Sequence, residues 1–334
     1  MKKNKFKNEI FLILTIIVLA LLIGIRNPVF FTTANFVSII RNLIINGIMA
    51  FAIMLGIIIG GIDVSFPAIA VVSMYITNRY AESVNYSGSP VWLFVIAMSI
   101  GLLLGMINGF LITKFKLPAF IVTLGTSSIF YGLLISTLGG KQVNRLVLPL
   151  ETIAKAELFR VTSGTSTSAM PVTVLFLIAV MFIVYLLLNR TMTGRMIYAI
   201  GGDKVSARKA GFPVDRITIL VYGFIGLVSG LAGICHSIQS RMCIPTDLMG
   251  GEMIIIAMVV LGGTKISGGK GTVLGTFLGV FLITMVRSSL ILVGIPSVWQ
   301  EFLTGVIIVA GTGISAYQVL RDSRKLVPVM EEEN

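Results

Sequence analysis

The residues able to do chemistry are few, and their spacing excludes most reactions. The chain holds one histidine, His236, and two cysteines, Cys235 and Cys243, among 334 residues. A lone histidine at a helix end is more often a structural residue than a ligand or a proton relay. The cysteines form neither a CxxC nor a metal-ligand pattern. No catalytic residue, metal site or cofactor is therefore expected. The run Gly262 to Gly271 (GGTKISGGKG) is glycine-rich and basic, but Gly271 follows Lys270 where a phosphate loop needs Ser or Thr. Asp63, Glu252 and Glu301 fall near the ends of apolar runs. An ion-coupled secondary transporter usually needs its carboxylates within the membrane.

Two groupings remain. The first is a set of polar residues at breaks in apolar sequence or on apolar helices: Asp63 and Ser65 in GGIDVS, Asn108, and Thr123, Thr126 and Ser127 in PAFIVTLGTSS. In GGIDVS two glycines release a helix, and Asp63 or Ser65 can cap a new one with Pro67 in its first turn. Broken helices of this kind also line transport sites, so capping and pathway lining are compatible roles. The hydroxyls of Thr123, Thr126 and Ser127 either meet a polar solute or bond back to their own helix carbonyls. The second grouping is Arg190 to Arg216, which carries Arg190, Arg195, Lys204, Arg208, Lys209 and Arg216 against Asp203 and Asp215. Amid lipid-like sequence, it is where a soluble partner can grip.

The elements that position these groups are read from composition and periodicity. The chain is 56% hydrophobic and 12% charged, about half the charge of a soluble domain. Apolar runs long enough to cross a bilayer recur along its length and do not alternate as barrel strands do. The expected fold is all-α: a polytopic transmembrane helical bundle, one domain over 1–334, with broken or re-entrant helices. About ten membrane segments are predicted, at roughly 10–25, 42–60, 66–78, 91–112, 118–138, 172–189, 217–237, 251–262, 272–288 and 298–320. The stretch Thr32 to Arg41 reads as a mildly amphipathic interfacial helix. With the lysine-rich start inside, the inside segments 1–9, 61–65, 113–117, 190–216, 263–271 and 321–334 hold 17 of the 26 lysines and arginines. Both termini are then cytoplasmic, with short tails at 1–9 and 321–334. The net charge of +12 is thus explained by basic loops against anionic lipid rather than by nucleic acid.

Three further features bear on packing. Gly101, Gly105 and Gly109 recur every four residues, which makes a small-residue face for close helix packing. Gly223, Gly226, Gly230 and Gly233 form a second such face, which could serve a dimer seam. The outer segment from Gly139 to Pro171, with its run of Thr and Ser, reads as solvated and partly flexible, either an ordinary loop or a contact for an external partner. GGIDVS and GGTKIS echo each other about two hundred residues apart and hint at an internal duplication.

The motifs GGIDVS at 60–65, KLPAFIVTLGT at 116–126, TGRMIYAIGGD at 193–203, ARKAGFPVDRI at 207–217 and VVLGGTKISGGKGTVLGT at 259–276 resemble, in order, those of the inner-membrane permease subunits of ribose-type sugar ABC importers, including autoinducer-2 permeases. Phe66-Pro67 departs from the Val-Gly pair usual after GGIDVS in that family. The resemblance implies a multi-pass subunit of the bacterial inner membrane, without catalytic residues of its own. It would translocate a small polar solute by alternating access, most simply a monosaccharide such as ribose or a sugar-like signal such as autoinducer-2. The implied partners are a cytoplasmic ABC ATPase dimer, a second permease subunit (homo- or heterodimer), an extracytoplasmic solute-binding protein and membrane lipid. It also implies that Ser206, Ala207, Arg208, Lys209, Ala210 and Gly211 form a short coupling helix, ended by Gly211 and Pro213. Ala207 and Ala210 would seat in an ATPase groove, and Arg208 and Lys209 would meet acids at its rim. The alternatives are a branched-chain amino-acid-type ABC permease and an ion-coupled secondary transporter.

Overall fold

The computed structural model describes residues 7–164, 166–296, 298–300, 302–306, 309 and 313. The chain forms α1 (Lys7–Arg26), a 3-10 turn (Pro28–Phe31), α2 (Thr33–Ile58), α3 (Phe66–Ser83), α4 (Pro90–Phe115), α5 (Ala119–Leu138) and α6 (Leu148–Lys155). There follow strands β1 (Glu157–Ser163) and β2 (Ser166–Pro171), then α7 (Val174–Arg190), α8 (Met192–Gly202), α9 (Lys204–Lys209), α10 (Val214–Ser240), α11 (Glu252–Leu261) and α12 (Val273–Leu292).

Among the described residues, six helices (α1, α2, α4, α5, α10 and α12) are long and apolar enough to cross a membrane, or up to seven spans if α7 and α8, bent by 76° at Thr191, count as one. Of the ten expected segments, two more are helices that fall short of that length or apolarity. The run at 66–78 is the start of α3, whose second half carries Thr77, Asn78, Arg79 and Glu82. It packs among α4, α5 and α10, and a helix sheathed by protein does not need lipid-grade hydrophobicity. The run at 251–262 is the 10-residue α11, too short to span alone. The tenth segment, 298–320, lies largely outside the described residues, as do Lys2, Lys3, Lys5 and the tail at 321–334.

Two other expectations change. Thr32 to Arg41 is no separate interfacial helix: Thr32 caps α2, accepting from Asn35 N at 3.3 Å, and α2 continues unbroken for 26 residues. The bundle is mostly helical, as expected, but part of the outer segment is an antiparallel hairpin with Thr162 opposite Thr167. Its threonines favour a pleated strand, and Gly164, at φ +62°, makes the turn. Hydroxyl pairs Thr33–Ser163 at 2.8 Å and Ser38–Ser168 at 3.0 Å pin the hairpin to the first turns of α2.

Long-range bonds sort the loops to two ends. At one end Thr272 Oγ1 donates to Glu9 Oε1 at 2.9 Å, and Gly269 N donates to Ile58 O at 2.8 Å. At the other, Asn27 Nδ2 donates to Leu292 O at 2.7 Å, Tyr75 OH to Lys141 O at 2.8 Å and Gln239 Nε2 to Thr173 Oγ1 at 3.0 Å. Parts of the segments expected inside (residues 8–9, 61–65, 190–216 and 263–271) gather at the first end.

The two glycine faces meet each other. A Cβ on Gly101 or Gly105 would clash with the backbone of Gly226 or Tyr222, and one on Gly226 would clash with Gly101 O. α4 and α10 therefore touch backbone to backbone, the geometry that small residues permit. The α10 glycines form this internal seam rather than one between copies, and Gly233 packs against Ala70 of α3. Gly132 on α5 faces open space instead. Gly226→Leu should destabilise the subunit by at least the roughly 1–3 kcal/mol of an overpacked core, read as a lower thermal midpoint of the detergent-solubilised chain. Gly132→Leu should leave the midpoint in place, and equal effects of the two would contradict this packing.

Candidate functional site

The first site is the interruption between α2 and α3. Gly60 takes a left-handed φ of +90°, which glycine adopts without strain. Gly60 N bonds Ile57 O at 3.0 Å and Gly61 N bonds Gly56 O at 2.9 Å. This paired closure satisfies the last carbonyls of α2. Asp63 does not cap α3. Its Oδ1 accepts from Ser65 N at 2.7 Å and from Ser65 Oγ at 2.6 Å, so it fixes the turn that delivers the chain to Phe66. Asn108 Nδ2 on α4 donates to Ser65 Oγ at 2.7 Å. Thr123 Oγ1 on α5 accepts from Val64 N at 3.2 Å and donates back to Ala119 O at 2.9 Å.

Four of the six residues singled out for a pathway, Asp63, Ser65, Asn108 and Thr123, are thus fully buried and knit the break to α4 and α5. Thr126 and Ser127 are also buried, and Thr126 bonds back to Thr123 O at 3.3 Å. The face of α5 that stays open carries Gly125, Ser128, Gly132 and Ser136 instead. Tyr222 of α10 joins the site although nothing in the sequence marked it: its hydroxyl fills the space a side chain on Gly61 would need. Asp63 Oδ2, Asn108 Oδ1 and the Tyr222 hydroxyl are buried and take no protein partner among the described residues.

The second site is the basic loop. Thr191 turns the corner between α7 and α8 by donating to Leu187 O at 2.6 Å and accepting from Gly194 N at 3.1 Å. Asp203 caps α9, accepting from Val205 N at 3.0 Å and from the Ser206 hydroxyl. The Ser206 bond first, then the Val205 N–H, holds the Asp203 carboxyl below its ordinary value. Gly211, at φ +84°, ends the helix: Gly211 N bonds Arg208 O at 3.0 Å and Phe212 N bonds Ala207 O at 3.1 Å. Pro213 then opens α10. The helix begins at Lys204, two residues ahead of the expected start.

Its faces also differ from expectation. Ala207, assigned to a partner's groove, is buried in the chain's own core, so it seats the helix. Arg208 pairs with Asp215 at 2.9 Å. Val205, Ser206, Lys209, Ala210, Gly211 and Pro213 remain exposed. His236 Nε2 lies 3.0 Å from Asp247 Oδ2 at the opposite end. Both cysteines are free and buried, and burial pushes the Cys243 thiol up to about 12, which keeps it protonated and unreactive.

Comparison with known proteins adds to this geometry. A family model described as "Branched-chain amino acid transport system / permease component" matches residues 35–311. The chain is 34% identical over 296 residues to the ribose import permease protein RbsC of Bacillus subtilis, covering 88% of each chain. It is 30% identical to RbsC of Escherichia coli, over 89% of this chain and 90% of that one. It is 32% identical to the autoinducer 2 import system permease protein LsrC of Yersinia pseudotuberculosis, over 89% of this chain and 81% of that one. No solved structure matches it significantly. Thr123→Val keeps the volume but strips Val64 N of its acceptor, so it should lower stability by about 1–3 kcal/mol. Ser136→Ala on the open face should not. Matching thermal midpoints for the two variants would show that the network does not hold the break.

Proposed function

The chain belongs to the family of branched-chain amino acid transport system permease components, and from its sugar-importer relatives we propose that it is the membrane subunit of an ATP-driven importer for a small polar solute. The solute is a monosaccharide such as ribose, or a sugar-like signal such as autoinducer-2. The subunit spans the bacterial inner membrane and works by alternating access. The observation that carries this reading is α9: a capped, solvent-facing helix in a basic loop, at one end of an apolar bundle.

In this reading the end bearing α9 is cytoplasmic, and an ABC ATPase dimer grips Val205, Ser206, Lys209, Ala210, Gly211 and Pro213. Ala207 anchors the helix from beneath, and Arg208, held by Asp215, fixes its angle to α10. Closure of the ATPase pair on ATP moves α8 and α9 and re-opens the solute path outward. The open face of α5 supports a second permease subunit, because Gly125, Ser128, Gly132 and Ser136 leave room for another helix to approach. The path then runs along that seam, while Asp63, Ser65, Asn108 and Thr123 set the shape of its wall from behind. The hairpin at 157–171 lies at the opposite end, where an extracytoplasmic solute-binding protein docks. Among the described residues Asp63 is bonded to Ser65 and forms no ion pair, which leaves the alternative of ion coupling without a paired relay.

Proteoliposomes holding the chain with its ATPase and binding protein should accumulate ribose or autoinducer-2 only when supplied with ATP. Uptake driven by a proton or sodium gradient alone would overturn the importer reading.

A further inference from the structure

We propose that the glycine-rich loop at 262–271 is the relay that carries movement of the basic loop to the break holding Asp63, with Tyr198, Gly201 and Gly268 as positioning residues. The proposal rests on the importer reading given above.

Three glycine pairs, far apart in sequence, meet at one point. Gly201 and Gly202 end α8, Gly60 and Gly61 end α2, and Gly268 and Gly269 lie in the loop before α12. Gly269 N donates to Ile58 O at 2.8 Å. A Cβ on Gly201 would clash with Ile58 O and lie 2.7 Å from Gly269 N. One on Gly268 would lie 2.6 Å from Gly201 O and 3.1 Å from Gly60 Cα. Tyr198 OH adds a bond to Gly271 O at 2.8 Å. The loop is closed on itself, since Gly268 N bonds Lys265 O at 2.9 Å and Lys265 N bonds Lys270 O at 3.0 Å. On its far side Thr272 bonds Glu9, and Asn8 lies against Gly263.

Contacts between side chains absorb small shifts by changing rotamer. Backbones in direct contact have no such slack, and close packing transmits the displacement. α8 runs through Asp203 into α9, so a tilt of α9 presses Gly201 on Gly268 and Ile58. Ile58 lies two residues before Gly60, where the break begins. From there the turn fixed by Asp63 and Ser65 leads to Asn108 on α4 and Thr123 on α5. The path is contiguous from the exposed helix to the buried network, which gives coupling a physical route. Neither the loop's glycines nor Tyr198 would contact solute or nucleotide. Their role is to make α8 and the end of α2 move together.

The test uses the full complex in proteoliposomes and reads solute taken up per ATP hydrolysed. The unmodified complex is measured first, and a lack of ATP-driven uptake there would refute the importer reading and this proposal with it. Tyr198→Phe removes one bond and adds no bulk. It should lower uptake per ATP about threefold, within the range seen for coupling networks, while co-purification with the ATPase and basal hydrolysis stay as in the parent. Gly268→Ala should lower it further. Gly202→Ala, whose Cβ would meet nothing within 4 Å, should match the parent. Uptake per ATP unchanged in both Tyr198→Phe and Gly268→Ala would overturn the relay. So would a loss of uptake matched by an equal loss of hydrolysis or assembly, which would make the loop a structural support only.

Discussion

A helix that stops where other chain packs against its end leaves carbonyl and amide groups that need protein partners, and this molecule is built around satisfying them. α2 and α11 both stop in this way. Each is closed by a left-handed glycine, Gly60 at φ +90° and Gly263 at φ +91°, with that glycine's own amide and the next one folded back onto the last turn. The freed segments then find further partners around them: Ile58 O in Gly269 of the glycine-rich loop, Gly271 O in Tyr198 of α8, and Val64 N and Ser65 in Thr123 of α5 and Asn108 of α4. The break that admits a polar side chain such as Asp63 is also tied to α4, α5 and the glycine-rich loop.

That constraint links the two candidate sites. The buried network of Asp63, Ser65, Asn108 and Thr123 gives the break one defined shape. The backbone junction of Gly60, Gly201 and Gly268 fixes that shape to the basic loop. Around it, the glycine seam of α4 and α10 makes a stiff frame, and α3 fills the space behind it. In the proposed reading, the open face of α5 and the exposed face of α9 are where partners bind. Such a frame, in the same reading, lets movement of α8 and α9 be passed to the break while the side of α5 pairs with a second permease.

Much of this was legible in the residues. Glycine spacing on α4 and α10 announced close packing, because few other causes place glycines at helical repeats, but it does not say which helix is the partner. The break at 60–65 and the helix stop at Gly211 followed from glycine and proline chemistry. Burial was not legible: α3 reads as a short membrane segment because hydropathy cannot tell lipid from protein surroundings. The inner and outer faces of α5 carry nearly the same residue types, so Thr123 and Ser128 look alike until the fold separates them. Ala207 faces inward because the fold packs α9 on the core through that one residue, which a short run of mixed residues does not announce. The hairpin was hidden because its threonines and serines also suit a solvated loop. The echo of GGIDVS and GGTKIS is real as a pair of helix stops. Its register differs by one, since Gly60 corresponds in conformation to Gly263 rather than Gly262.

In the proposed reading an ATPase grips α9 at the end of the bundle opposite the hairpin. The most direct measurement places a photo-crosslinking residue at Lys209 and, separately, at Thr162, in membranes that also contain the ATPase. The account predicts that the ATPase is captured from Lys209 and not from Thr162. Capture from Thr162, or from neither position in a complex that imports its solute, would contradict it.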